Sequence, residues 1–225
     1  MSNFPTKEQL RNAANSRFAT KTFDAEKQIS EEDWKFLMEL AHLTPSSIGL
    51  EPWKVLDIQN PELRKKLFPI SWGAQRGQLD ASHYIVILSA KQQMFSEEEG
   101  YVKKMMSEIH HFPAELVAPY SNKVAHMFDG RVEEARELAY FDYSVHQAHL
   151  MAMNICNNAA LMGIDTCMIG GVDADAYDKL LGEEMGLYDT KKWSVGLCVA
   201  IGYHLADAGH GKTRKPFEEF YQVVE

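Results

Sequence analysis

The stretch Arg17-Phe18-Ala19-Thr20-Lys21-Thr22-Phe23-Asp24 decides how this chain is read, together with Lys212-Thr213-Arg214 near the other end. A phosphate needs two or more converging cationic or N–H donors, Arg supplying a planar fork and Lys a compact charge. If the two ends of the chain meet, these residues make an anion site. Two further segments, Thr44-Pro45-Ser46-Ser47-Ile48-Gly49-Leu50-Glu51-Pro52-Trp53 and Met168-Ile169-Gly170-Gly171, are loops of the kind that let backbone approach a flat ligand. The combination points to a bound phosphorylated cofactor.

Working outward, 225 residues of which 45% are hydrophobic can bury one good core, so a single domain over 1–225 is expected. The formal charge of −9 argues against nucleic acid or an anionic membrane as partner, since either favours a basic stripe. Cys156, Cys167 and Cys198 are odd in number and lack C-x-x-C spacing, so neither a disulfide framework nor a zinc site is implied. The start, Met1 to Glu8, has no basic region followed by an apolar run, and Tyr84-Ile-Val-Ile-Leu88 is too short to span a bilayer. A soluble, cytoplasmic protein is expected.

Helices and strands interleave. Thr6-Lys-Glu-Gln9 is a capping-box pattern that starts a helix ending near Arg17, and Ser30-Glu-Glu-Asp33 starts a second with an apolar stripe of Trp34, Leu37, Met38 and Ala41, stopped by Pro45. Trp53–Ile58 reads as a strand, Pro61–Leu67 as a short helix and Tyr84–Leu88 as a strand buried on both faces. Helical periodicity covers about 96–111 and about 131–163, the latter with Ala139, Tyr143, His146, Leu150, Met153 and Asn157 at one-turn spacing and Gly163 as its stop. Asp165–Ile169 is a strand, Asp173 starts a helix to about Leu181, and Ser194–Gly202 is a last buried strand. The tail from Pro216 cannot fill a core of its own and is expected to pack on another subunit.

Other motifs compete. Ala206 to Thr213 satisfies a loose Walker A pattern, but too little chain follows Thr213, Pro216 interrupts it, and no strand-borne acidic partner lies downstream. No G-x-G-x-x-G occurs, so a Rossmann fingerprint is missing. His146 and His149, with Asp142, lack the companion motif a helical metal site needs. His110 and His111, adjacent on a helix, read as solvated. No nucleophile elbow surrounds Ser46 or Ser47.

Arg17-x-x-Thr-Lys21-x-Phe-Asp24, Pro45-Ser-Ser47 followed by Glu51-Pro-Trp53, Leu79-Asp-Ala-Ser-His83, Met162-Gly-Ile-Asp165 with Gly171, and Lys212-x-Arg214 occur in the order and at the spacing of one family. The chain resembles the flavin-dependent nitroreductases nearly end to end, most weakly over Lys91–Asp129, where that family inserts a variable helical lid. The resemblance implies an α+β fold with a central, mostly antiparallel sheet flanked by helices, in an intertwined homodimer with FMN at the subunit interface. It implies that Arg17, Lys212 and Arg214 hold the phosphate, that Pro45, Ser46 and Ser47 come from the other subunit, that the Gly170 N–H points at the flavin, with Met168, Ile169 and Gly171 beside it, and that Lys21 lies by the pyrimidine edge.

The chain also departs from that pattern. Phe18 and Ala19 stand where histidine and serine are common, Glu51 replaces a frequent Gln and Gly170 a frequent Glu, and Ala74 and Gly77 replace polar ring contacts that Gln75 or Gln78 would have to supply. The expected activity is hydride transfer from NADPH or NADH, through FMN, to small-molecule acceptors such as nitroaromatics or quinones. Such chemistry needs orientation and charge rather than a protein nucleophile. A flavin-binding sensor or storage module, or a specialised reductase such as a dehalogenase, is the alternative on the same scaffold.

Overall fold

Thr6 caps the first helix as its spacing predicts: its hydroxyl accepts the Gln9 N–H while the Gln9 side chain accepts the Thr6 N–H, which satisfies two orphan donors at once. The computed structural model describes residues 4–206 and 211–225. The Walker-like run and the opening segment therefore lie partly outside the described residues, at 207–210 and 1–3. Helix α1 (Lys7–Ser16) and α2 (Glu31–His42), the latter capped by Ser30, precede strand β1 (Trp53–Asp57), α3 (Pro61–Leu67) and β2 (His83–Ala90). Short helices α4 (Gln92–Phe95) and α5 (Tyr101–Lys104), a π-turn at Met105–Ile109 and α6 (Ala114–Ala125) follow. The long α7 (Glu133–Leu161) leads into β3 (Asp165–Ile169), α8 (Ala174–Tyr177), β4 (Trp193–Gly202) and α9 (Phe217–Phe220).

The four strands form one antiparallel sheet in the order β1-β2-β4-β3, an α+β arrangement with helices on both faces. β2 is apolar without alternation because both faces are covered. Tyr84, Val86 and Leu88 point into one core with Phe95, Met106, Tyr140 and Tyr177, while Ile85 and Ile87 point into a second with Leu37, Ala41 and the buried face of α7.

That buried face differs from the series of Ala139, Tyr143, His146, Leu150, Met153 and Asn157 at one-turn spacing. Ser144, Ala148, Met151, Ala152, Ile155 and Ala159 face inward, whereas Leu150 is 54% exposed and His146 and Asn157 lie outside. Small side chains let a helix axis sit close to a sheet, so the large residues that dominate the apolar pattern fall on the other side. Two further corrections concern the lid region. Gly100, in a left-handed conformation, breaks the expected 96–111 helix, and α6 forms despite Pro119. The expected helix from Asp173 runs only to Tyr177 before a π-turn over Asp178–Glu184.

Candidate functional site

The ends of the chain meet. Arg17 is the first residue beyond α1, its N–H still bonded to the Ala13 carbonyl at 3.1 Å, and the Lys212 ammonium donates to the Arg17 carbonyl. Partial burial, then the charges of Arg17 and Arg214, hold the Lys212 amine below its ordinary pKa. A like charge nearby disfavours the charged form of an amine. Among the described residues no carboxylate pairs with Arg17, Lys212 or Arg214.

From Arg17 the chain runs along β3, which is the sheet edge. Ala19 bridges to Thr166 in parallel fashion and the Thr20 N–H donates to the Thr166 carbonyl at 3.1 Å. Phe18 packs against His204, ring centroids 5.8 Å apart. The Thr20 hydroxyl is buried with no hydrogen-bond partner among the described residues. Lys21 then reaches inward, its Nζ 3.7 Å from the Cys167 Sγ. Burial pushes the Cys167 thiol up in pKa against the opposing pull of Lys21, which favours the neutral thiol.

Lys21 also lines a cavity of about 290 Å³ with Trp72, Gly73, Gln75, Arg76 and Gln78. The turn after β3 packs against Trp72 and Gly73 of this lining. A Cβ at Gly171 would fall 2.7 Å from the Trp72 ring and 2.9 Å from the Gly73 Cα, whereas a Cβ at Gly170 would meet nothing within 4 Å. Gly171 is thus a packing glycine, held also by the Gly73 N–H on its carbonyl at 2.6 Å, and Gly170 presents open backbone. Met168 and Ile169 turn their side chains into the two cores, leaving only their main chain toward the site.

The two glutamines are engaged with backbone. Gln75 Nε2 donates to the Phe68 and Ser71 carbonyls at 2.7 and 2.8 Å. Gln78 is buried, donating to the Gly73 carbonyl at 3.3 Å and accepting from the Arg76 N–H at 2.9 Å. Their amides hold the loop in shape, and Trp72 and Arg76 join Lys21 and Gln75 as exposed residues of the lining. Sequence reasoning passed over both. An aromatic residue 71% exposed beside a glycine pair would have been the signal, but exposure is not legible in a sequence.

Pro45, Ser46 and Ser47 are elsewhere. Pro45 lines a groove with Leu40, Leu43, Leu150, Met153 and Asn154 that shares no residue with the Lys21 cavity. The single chain therefore joins Arg17 to Lys212 and Arg214, and Lys21 to Gln75, Gln78 and the Gly170–Gly171 turn, but it does not bring the Pro45–Ser47 loop to them. His110, expected to be solvated, is instead bonded to that loop: its Nε2 lies 2.7 Å from the Gly49 carbonyl, because the helix ends there and His111 turns left-handed at φ 53°. His149 Nδ1 lies 2.8 Å from the Val145 carbonyl on its own helix.

The chain is similar to known proteins in both sequence and fold. YfkO of Bacillus subtilis (strain 168), named among the NAD(P)H nitroreductases, is 35% identical over 221 residues, 97% of this chain and 98% of that protein. A similarly named Staphylococcus epidermidis protein is 35% identical over 210 residues, 93% of this chain and 94% of its own length. In fold, the chain matches an NAD(P)H:FMN oxidoreductase structure from S. epidermidis ATCC 12228 with a TM-score of 0.76 at 24% identity, covering 100% of both chains. It also matches a nitroreductase from Exiguobacterium sibiricum 255-15 in complex with FMN, with a TM-score of 0.72 at 20% identity, covering 99% of both. The family model described as Nitroreductase family matches residues 14–203, which take in the Arg17–Lys21 segment, the Lys21 cavity and the glycine turn, and the chain belongs to the nitroreductase family.

Proposed function

We propose that this chain is an FMN-dependent NAD(P)H oxidoreductase, working as a homodimer on small electron acceptors such as nitroaromatics or quinones. The observation that carries the reading is the convergence of Arg17, Lys212 and Arg214 from opposite ends of the chain without a carboxylate partner. The donor set fits a phosphate monoester: two guanidinium forks and an ammonium whose proton is held more tightly once an anion arrives. Open backbone at Gly170 and the cavity beside Lys21 fit the approach of a flat ring. The FMN-complexed fold neighbour and the names of the relatives support the same group.

FMN, when bound, supplies the two-electron chemistry by which a reduced nicotinamide and an acceptor react in turn at one site. The protein's part is orientation, exclusion of water and charge. Arg17, Lys212 and Arg214 would anchor the phosphate, and the Gly170–Gly171 turn would set how closely a ring can approach. Lys21 would place a positive charge where electron density collects, its reach limited by the Cys167 contact. Ser46 and Ser47, which the single chain leaves apart, would serve the partner's cofactor. The segment 91–129 would cover the acceptor.

Assembly has its own support. Leu138, Leu150 and Leu161 are exposed along α7, and Phe217, Phe220, Tyr221, Val223 and Val224 are exposed in the tail. Large apolar surfaces of this kind mark an interface. The test is a flavin titration with FMN and riboflavin on the unsubstituted protein and on Arg214→Ala, followed by initial rates with NADPH or NADH and menadione. FMN affinity should fall in Arg214→Ala by roughly tenfold or more, as loss of a charge-assisted hydrogen bond requires, with riboflavin unchanged, and the rate plots should be parallel lines. Equal loss for both ligands would remove Arg214 from the phosphate, and intersecting lines would remove the shared site.

A further inference from the structure

The loop that carries Ser46 and Ser47 is held in an unusual shape. Ile48 has φ 59° and Glu51 φ 46°, in the left-handed region that L-residues avoid and that a β-branched side chain almost never adopts. Such backbone persists only where its surroundings over-determine it, and here they do. Tyr101 Oη donates to the carbonyls of Leu50 and Glu51 at 2.7 and 2.9 Å. His110 Nε2, 2.7 Å from the Gly49 carbonyl, must donate, since a carbonyl only accepts. Tyr143 Oη donates to the Ser47 carbonyl at 3.3 Å, and Gln147 Oε1 accepts the Ser47 N–H at 2.8 Å. Within the loop, the Ser46 hydroxyl accepts the Glu51 N–H at 2.8 Å.

Five main-chain groups of the loop, the Ser47 N–H and the carbonyls of Ser47, Gly49, Leu50 and Glu51, are thus taken by four side chains from elsewhere, two from the lid segment and two from α7. Ser47 itself is exposed at the surface. The arrangement is more than fold stability needs. A loop of eight residues with two left-handed non-glycine positions would relax to ordinary conformations if the clamp were absent.

Resting on the flavin reading above, we infer that Tyr101 and His110 are positioning residues: they hold the Ser46–Ser47 loop in the strained form that meets the partner subunit's flavin. The lid over one acceptor site and the grip on the neighbouring cofactor are then a single mechanical unit. Displacement of the lid loosens the loop, and by reciprocity an occupied flavin site holds the lid.

The test is equilibrium ultrafiltration of the flavin-loaded dimer, which reads FMN affinity without turnover, alongside thermal midpoints of the flavin-free protein. Tyr101→Phe keeps the ring packed at right angles on Trp193 and removes only the hydroxyl, while His110→Ala removes the donor and His110→Gln retains one. FMN affinity should weaken about fivefold in Tyr101→Phe and in His110→Ala, the effect of one net hydrogen bond, and stay within about twofold in His110→Gln. Adding Ile48→Asn to Tyr101→Phe should restore affinity, because asparagine adopts positive φ at lower cost. Variants that lose thermal stability yet bind FMN as the unsubstituted protein does would overturn the inference and leave the flavin reading standing, as would failure of Ile48→Asn to restore binding. An unsubstituted protein that binds no FMN would overturn both.

Discussion

Two adjacent glycines carry opposite expectations, and the contrast follows from what surrounds each. At Gly170 an added Cβ meets nothing within 4 Å, so Gly170→Ala should leave the fold intact and gain about 0.4–1 kcal/mol by restricting the unfolded chain. For a chain of this size that is a rise of about 1–4 °C in thermal midpoint. At Gly171 the same methyl would sit 2.7 Å from the Trp72 ring and 2.9 Å from the Gly73 Cα. The exposed indole can swing aside, but the Gly73 backbone is tied by its own N–H to the Gly171 carbonyl at 2.6 Å. Gly171→Ala should therefore cost about 1–3 kcal/mol, the usual penalty of overpacking. Flavin binding reverses the ranking at Gly170: if a ring lies against that open backbone, the new methyl intrudes on it, and FMN affinity should fall by roughly 5- to 150-fold on the same overpacking scale. Scanning fluorimetry of the flavin-free proteins and fluorescence titration with FMN give the two readouts. A Gly170→Ala protein that melts lower than its parent, or that binds FMN equally well, would refute the assignment of Gly170 to the ligand.

Other outcomes follow from the same contacts. Lys21→Ala should lower the midpoint potential of bound FMN, because removing a nearby cation makes the addition of electrons less favourable; spectroelectrochemistry at saturating FMN checks it, and an unchanged potential would make Lys21 a bystander. Burial raises the pKa of Tyr84, Tyr101, Tyr177 and Tyr188 above the ordinary value of 10.0. Their contribution to stability is complete below that pH and is lost as pH rises through it, since the unfolded chain ionises first; denaturant midpoints should fall from about pH 10 upward, with tyrosinate absorbance appearing together with unfolding. Replacing Phe217 and Phe220 by Ser should shift sedimentation toward monomer if these exposed rings lie in the subunit interface, and an unchanged dimer would place the tail elsewhere.

What the sequence made legible divides along physical lines. Short-range signals came through: the Thr6 capping box, Pro61 at the head of α3 and the unbroken apolar run of β2 all depend on a few neighbouring residues. The basic residues were legible too, because charges that converge must be placed, and a chain this acidic offers few of them. The one-turn series on α7 did not mark its inward face, because hydrophobic size and proximity to a sheet favour different residues. The helix α6 was not among the expected elements; it forms around Pro119, whose missing N–H weighs less when the helix has tertiary support. The loop clamp was not readable at all: its contacts join residues 50 to 100 positions apart, and His110 next to His111 gives no hint of which one turns inward.

The distribution of these parts along the chain bears on how the proposed cofactor would be held. The proposed phosphate cluster is made where the two ends of one chain meet, and the proposed ring cavity is lined by residues of that same chain. The Ser46–Ser47 loop lies apart, since it opens onto a groove along α7 away from the Lys21 cavity. On the dimer reading, a flavin is gripped at its phosphate by one subunit and touched at another part by a loop whose shape the second subunit's lid maintains. Affinity for FMN is then linked to association: each flavin stabilises the dimer by the free energy that the second subunit adds to its binding. The strain in that loop gives the linkage a definite location. A contact made only by relaxed surface residues would survive small movements of the lid, whereas one that depends on two left-handed non-glycine residues and four clamping side chains does not.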